Sequence, residues 1–200
     1  MYLENCKNKL WITSDLHFCH DKEFIWGPRG FKSVKEMNTA IVENWNSVVD
    51  KEDHVIVLGD LMLNNNEKGL YLLKQLKGTL HLIRGNHDTD ARVQEYIKCY
   101  NVWERIVPYA DTIQYNGYNF YLSHYPTLTS NHDKNKPLNK QIINLCGHLH
   151  TDDAMIDMEK GLVYHCELDA HGNTPVLIDD IIEDIKVYRG MKALNNAFVF

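Results

Sequence analysis

Aspartate, histidine and asparagine recur in this chain in short clusters suited to holding cations and moving protons. In order they are Asp15 and His17, Asp60, the run Asn86-His87-Asp88, His124, and the pair His148 and His150. Imidazole, carboxylate and amide oxygen together suit zinc, manganese, iron or nickel better than calcium or a thiolate-bound metal. "DLH" at 15–17 and "HLH" at 148–150 each place two such residues at i and i+2. On a strand those side chains point to one side, so each pair can reach one small volume. Seven candidates (Asp15, His17, Asp60, Asn86, His124, His148, His150) are too many for one tetrahedral ion. They are about right for two ions sharing a carboxylate. Ions paired at roughly 3.5–4 Å clamp a phosphoryl group and supply a hydroxide for in-line attack.

The elements that must position them follow from hydrophobic pattern. "KLWITSD" (9–15), "HVIVLGD" (54–60) and "TLHLI" (79–83) read as strands that end at these residues. Short continuous apolar runs of this kind suit strands buried on both faces. Between them, Ser33 and Glu36 form a capping-box pattern. Val34, Met37, Ile41, Trp45 and Val48 then follow at helical spacing. "GLYLLKQLKG" predicts a short helix with Gly78 near its C-cap, and 90–100 another. This βαβαβα order predicts a mainly parallel sheet covered by helices, with a site at the strands' C-terminal edge. "RIVPYADTIQYNGYNFYLSHYP" (105–126) predicts two strands joined at Asn116-Gly117. Residues 130–139 read as a mobile polar loop, 141–150 and 161–168 as strands, and 179–190 as a last helix. Trp11, Trp45 and Trp103 read as core.

Composition fits one globular domain over residues 1–200, with 44% hydrophobic and 24% charged residues. A net charge of −6 argues against a dedicated nucleic-acid binder. Five scattered cysteines without a CxxC pair suit reduced thiols in the cytoplasm. Neither a signal peptide nor a membrane span is expected.

The ordered blocks "DLH", "GD", "GNHD", "H" and "GHLH" resemble the signature of the calcineurin-like metallophosphoesterases across residues 15–150. The flanks "DLHFCH", "PRGFKSVKEMN" and "WNSVV", with the late Asp169, Pro175 and Val176, resemble a small bacterial and phage subgroup. The resemblance implies an α/β fold: a four-layer αββα sandwich of two mixed β-sheets flanked by helices. It implies two divalent ions (manganese, iron, zinc or nickel) and hydrolysis of a phosphoester by a metal-bridging hydroxide. Asp15, His17 and His150 would hold one ion, Asn86, His124 and His148 the other, and Asp60 would bridge them. His87 would protonate the leaving group, and Asp88 would orient it.

Each residue also has a plain structural reading. Asp15 and Asp60 suit helix N-caps, Asn86 and Gly85 suit a sharp turn, and a lone His124 suits a satisfied polar site. His20 and Arg29 are candidates for touching substrate; Arg29 has a planar fork suited to phosphate. Tyr125 suits stacking on a base. Arg84 reads as surface or supporting. His54, His81, His132, His165 and His171 fall in no motif and read as structural, with His165 the exception, since the resemblance implies that the loop of its strand lies near the site. The expected partner is a small phosphoester or nucleotide. The rival functions are a catalytically weak scaffold on the same fold and a nucleic-acid-processing nuclease.

Overall fold

The computed structural model describes residues 8–98, 103–129, 136–158 and 161–197. The first half runs β1 (Leu10–Thr13), α1 (Glu23–Trp26), α2 (Val34–Val48), β2 (His54–Val57), α3 (Asn66–Leu73), β3 (Thr79–Ile83), α4 (Asp90–Ile97) and β4 (Trp103–Val107). The second half runs β5 (Ala110–Tyr115), β6 (Tyr118–Ser123), β7 (Ile142–Cys146), β8 (Met155–Met158), β9 (Gly161–His165), β10 (Val176–Leu177) and α5 (Ile178–Ala197). Most of the loop at 130–139, the end of the helix expected at 90–100, His132, Cys6 and Cys99 lie outside the described residues.

Two five-stranded mixed sheets form, in the orders β10-β1-β2-β3-β4 and β5-β6-β7-β9-β8. In the first, β1 to β4 are parallel and β10 is antiparallel. Strand alternation sorts its residues into two cores. Trp11, Val55, Val57, Leu80 and Leu82 pack under α1 to α4 with Met37, Ile41 and Trp45. Leu10, Ile12, Ile56, Leu58 and Ile83 face the second sheet's Ile113, Phe120, Leu122, Ile143, Leu145 and Leu162. The α5 residues Ile178, Ile181, Ile182 and Ile185, one stripe of a helix, join this inter-sheet core.

Local signals mostly hold. Ser33 caps α2 by accepting from the Glu36 N–H at 3.2 Å, while the Glu36 carboxylate reaches back to the Lys32 N–H at 2.8 Å. Asn116 and Gly117 both take positive φ (47° and 78°), as a two-residue hairpin of this hand requires. Two expectations need correction. The stretch before the hairpin is two strands, because Pro108 breaks it: β4 pairs with β3, and β5 crosses to the other sheet. Gly78 lies beyond α3, whose C-cap is Lys74, and turns the chain (φ 93°) into β3. The short strands β8 and β10 carry too few alternating residues to stand out in sequence. The described cysteines Cys19, Cys146 and Cys166 are buried and free. Among the described residues no helix is long and apolar enough to cross a membrane.

Asp53, just before β2, ties the chain's entry to the sheet. Its carboxylate accepts from the N–H groups of Lys9 (3.1 Å), Asp50 (3.0 Å) and the Trp11 indole (2.9 Å). Burial opposes its charge, but the N–H donors outweigh it and hold the carboxyl below its usual 3.8. A lowered folded value means stability that is present above the unfolded value and lost as pH falls through the folded one. Asp53→Asn is therefore expected to lower urea stability at pH 7, and its difference from wild type should shrink below pH 3.8. Urea titrations at pH 7 and pH 3 check this.

Candidate metal centre

The candidate ligands converge where the two sheets meet. Asp15, His17, Asp60 and Asn86 follow β1, β2 and β3 of the first sheet; His124, His148 and His150 follow β6 and β7 of the second. Neither Asp15 nor Asp60 caps a helix, since loops follow both. The convergence does not come from strand alternation. Asp15, His17, Asp60, His148 and His150 all take left-handed backbone, with φ between 48° and 77°. Such conformations are uncommon outside glycine and cost of order 1–3 kcal/mol each. The strain curls each loop end back over the sheet edge.

Three glycines let the loops come that close. A Cβ on Gly59 would lie 2.6 Å from Gly85 Cα and 2.7 Å from His124 Nδ1. One on Gly85 would overlap the Asp60 carboxylate, and one on Gly147 would overlap Ser14 and Asp15. Gly85 is thus required by close approach, and not by the turn that sequence suggests; its φ is not among the positive ones.

Two groups of ligand atoms result. In the first, His17 Nε2 lies 3.0 Å from His150 Nε2 and 3.5 Å from Asp15 Oδ1, and His150 Nε2 lies 3.6 Å from Asp15 Oδ1. In the second, His124 Nε2 lies 2.8 Å from Asn86 Oδ1, 3.2 Å from His148 Nδ1 and 3.5 Å from Asp60 Oδ2. Asp60 Oδ2 also stands 3.8 Å from His17 Nε2, so it lies between the groups. Sets of these side chains (Asp15, His17, His150, and Asp15, Asp60, His124) are close enough to hold cations.

The chemistry of the set fits cations. Asp15 Oδ1 and His17 Nδ1 are buried with no hydrogen-bond partner. Burial pushes His17 down to about 4 despite its contact with Asp15, leaving a neutral imidazole. Burial alone would raise Asp15, but the adjacent His17 imidazole, with His124 and His150, holds it well below the usual range. Burial raises Asp60, and the neighbouring Asp15 adds to this against the pull of His124. Burial lowers His148. A pocket that disfavours protonated His17 and His148 and ionised Asp60 is one a cation would neutralise.

His87 and Asp88 separate in role. The His87 N–H donates to Asp60 Oδ1 at 2.8 Å, and its carbonyl accepts from Arg92 at 2.5 Å. Its ring is 38% exposed, with Nε2 3.8 Å from Asp60 Oδ2. Burial and the Arg92 charge lower its pKa, with Asp88 opposing. Asp88 does not bond the His87 ring, which corrects the role expected for it. Its carboxylate accepts from the N–H groups of Asp60 (2.8 Å), Leu61 (3.2 Å) and Gly85 (2.8 Å) and from the Tyr96 hydroxyl (2.8 Å). It orders the loops after β2 and β3.

Arg29 is likewise corrected. Its side chain is buried, its guanidinium pairing with both Asp169 oxygens (3.0 and 2.7 Å) and donating to the Asp15 carbonyl at 2.7 Å. That braces it against the ligand loops, with its guanidinium engaged by Asp169 and by the Asp15 and Leu16 carbonyls. Asp169 also lies 3.1 Å from His150 Nδ1. Burial opposes protonation of His150, but the Asp169 hydrogen bond and the Asp15 charge outweigh it, so its pKa is raised. Sequence reading missed this support, because a lone Asp 19 residues from His150 carries no spacing signal. His20 is buried beside His17, ring centroids 5.4 Å apart, its pKa lowered by burial. Arg84 donates to the Asp88 carbonyl (3.0 and 2.7 Å) and pairs with Asp90 at 2.8 Å. His165 is fully buried, its Nδ1 3.1 Å from Glu167 and 3.7 Å from the Cys146 sulfur.

A family model described as a calcineurin-like phosphoesterase superfamily domain matches residues 9–166. An uncharacterized protein of Methanocaldococcus jannaschii is 31% identical over 193 residues, covering 94% of this chain and 97% of its own. The Gene 66 protein of Mycobacterium phage L5 is 35% identical over 81 residues, 39% of each chain. A crystal structure of a protein of unknown function from Aquifex aeolicus shares the fold, with a TM-score of 0.65 and 23% identity over 88% of this chain and 99% of that one.

Asp88→Ala would orphan four donors at once. It is expected to cost on the order of 3 kcal/mol and to weaken metal uptake without touching a ligand. Urea unfolding and metal content of the purified variant measure both effects.

Proposed function

The chain belongs to the calcineurin-like phosphoesterase superfamily, and from that premise we propose that it is a phosphoester hydrolase using two divalent metal ions. The observation that carries the reading is the placement of Asp60 Oδ2 between two ligand groups, with the His87 ring facing the same oxygen. Asp15, His17 and His150 would hold one ion. Asn86, His124 and His148 would hold the other, with Asp60 shared. When bound, two ions of the manganese, iron, zinc or nickel type supply charge neutralisation for the phosphate and a nucleophilic water at neutral pH.

The remaining work falls to the chain. His124 Nδ1 lies 2.8 Å from the Leu58 carbonyl, which fixes the ring so that Nε2 turns toward Asn86 and Asp60. Asp169 sets His150 in the same way. Imidazoles held through their second nitrogen make better-oriented ligands. His87 is fixed through its main chain, which leaves the ring free to give a proton to a departing alkoxide. His20, packed beside His17, would contact the substrate.

A groove beside Asn86 is lined by Arg84, Gly85, Asn86, Asp90, Pro108, Tyr109 and Tyr125. Tyr109 and Tyr125 are 86% and 50% exposed. Stacking of a base on such rings contributes about 1–3 kcal/mol. This supports a nucleotide or aromatic phosphodiester over a bare phosphomonoester. The net charge of −6 weighs against a long nucleic acid.

Chelator-stripped protein is expected to be inactive on a nitrophenyl phosphodiester and to regain turnover with manganese. Failure to turn over with any of the four metals would revive the scaffold reading. His87→Asn is expected to retain both ions but lose about a hundredfold in kcat on an alkyl phosphodiester. On the nitrophenyl ester, whose leaving group needs no proton, it should lose far less. Equal losses on both esters would remove His87 from the acid role.

A further inference from the structure

Far from the ligands above, toward the opposite end of the same parallel strands, two histidines that fall in no motif face each other. His54 opens β2 and His81 lies in the middle of β3. Their rings stack at 5.3 Å, with His54 Nδ1 3.0 Å from His81 Nε2. Glu104 of the edge strand β4 completes the group, its Oε2 3.7 Å from His54 Nδ1 and 3.6 Å from His81 Nε2.

We infer that His54, His81 and Glu104 form a separate binding site for a single divalent cation of the zinc type. The triangle of ligand atoms, 3.0, 3.6 and 3.7 Å on its sides, is nearly congruent with that of Asp15, His17 and His150, at 3.0, 3.5 and 3.6 Å. A point equidistant from three atoms so spaced lies about 2.0 Å from each, which matches zinc contacts to imidazole nitrogen and carboxylate oxygen of about 2.0–2.2 Å. Two imidazoles and one carboxylate are a ligand set that zinc, nickel and copper accept and that magnesium and calcium do not favour.

The backbone around Glu104 is built to bring it there. In the β3–β4 ladder Leu80 pairs with Trp103 and His81 with Arg105, so Glu104 is an extra residue opposite no partner. Bulges are rare in parallel pairs and re-aim a side chain. The next residue, Arg105, turns to Asp111 at 2.7 Å and leaves the glutamate to the histidines. The His81 side chain is 5% exposed, His54 18% and Glu104 58%, so the site opens on one side to solvent and leaves room for a water ligand. An ion held here would cross-link β2, β3 and β4 at the free edge of the first sheet.

Equilibrium dialysis of the metal-depleted full-length protein against low-micromolar free zinc tests the site. Wild type is expected to hold one more zinc per chain than Glu104→Ala or His54→Gln. Glu104 is exposed, so its variant should fold normally. Zinc should also raise the melting temperature of wild type more than that of either variant, with phosphodiesterase activity equal in all three. Cobalt should give stronger visible absorption per chain in wild type than in Glu104→Ala, the Asp60 centre contributing equally to both. Equal zinc content in the three proteins would overturn the inference. The comparison is a difference between variants, so its outcome does not depend on how many ions the Asp60 centre holds.

Discussion

Two carboxylates and four imidazoles, each 3 to 4 Å from a neighbour and largely buried, make an arrangement a protein chain resists. Like charges repel across Asp15 and Asp60, and burial penalises every ionised form. The rest of the structure answers that constraint. The parallel strands of the first sheet deliver Asp15, Asp60 and Asn86 to one edge, and the second sheet closes over them with His124, His148 and His150. A cation held by this donor set would offset the crowding.

Holding such a group demands backbone anchors as much as ligands. Asp88 accepts four hydrogen bonds and binds the loop after β2 to the loop after β3. Arg29 and Asp169 do the same for the loop after β1 and the turn at His150. Both are buried charges with filled hydrogen-bonding capacity, the form in which a buried charge is tolerated. They account for the persistence of five strained left-handed residues in one place. The strain is distributed over anchors that lie outside the ligand set.

The family, the α/β class and the first three strand–helix pairs were legible because each rests on a local signal. Continuous apolar runs marked β1 to β3, and the Ser33 cap with its helical stripe marked α2. The candidate site was legible as a set of strand-end residues, since Asp, Asn and His recurring in that order at strand ends rarely arise from packing needs alone. What sequence hid was non-local. The switch between sheets at Pro108, the partnership of Asp169 with His150, and the inward turn of Arg29 depend on contacts between segments far apart in the chain. The role of Asp88 was misassigned for a related reason. Adjacency to His87 suggested a side-chain contact, but the Asp88 carboxylate turns inward to the N–H groups of a distant loop while the His87 ring stays on the rim.

The crossing at Pro108 has a kinetic consequence. It divides the chain so that the first sheet carries four of the seven candidate ligands and the second three, and His17 meets His150 across 133 positions. Contacts of such separation form late, after the loop-closure entropy has been met. Neither half alone assembles a complete pocket. A nascent chain would therefore complete both sheets before it could sequester metal, so the centre comes into being at the docking step, as a marker that folding has finished and not as the template that starts it.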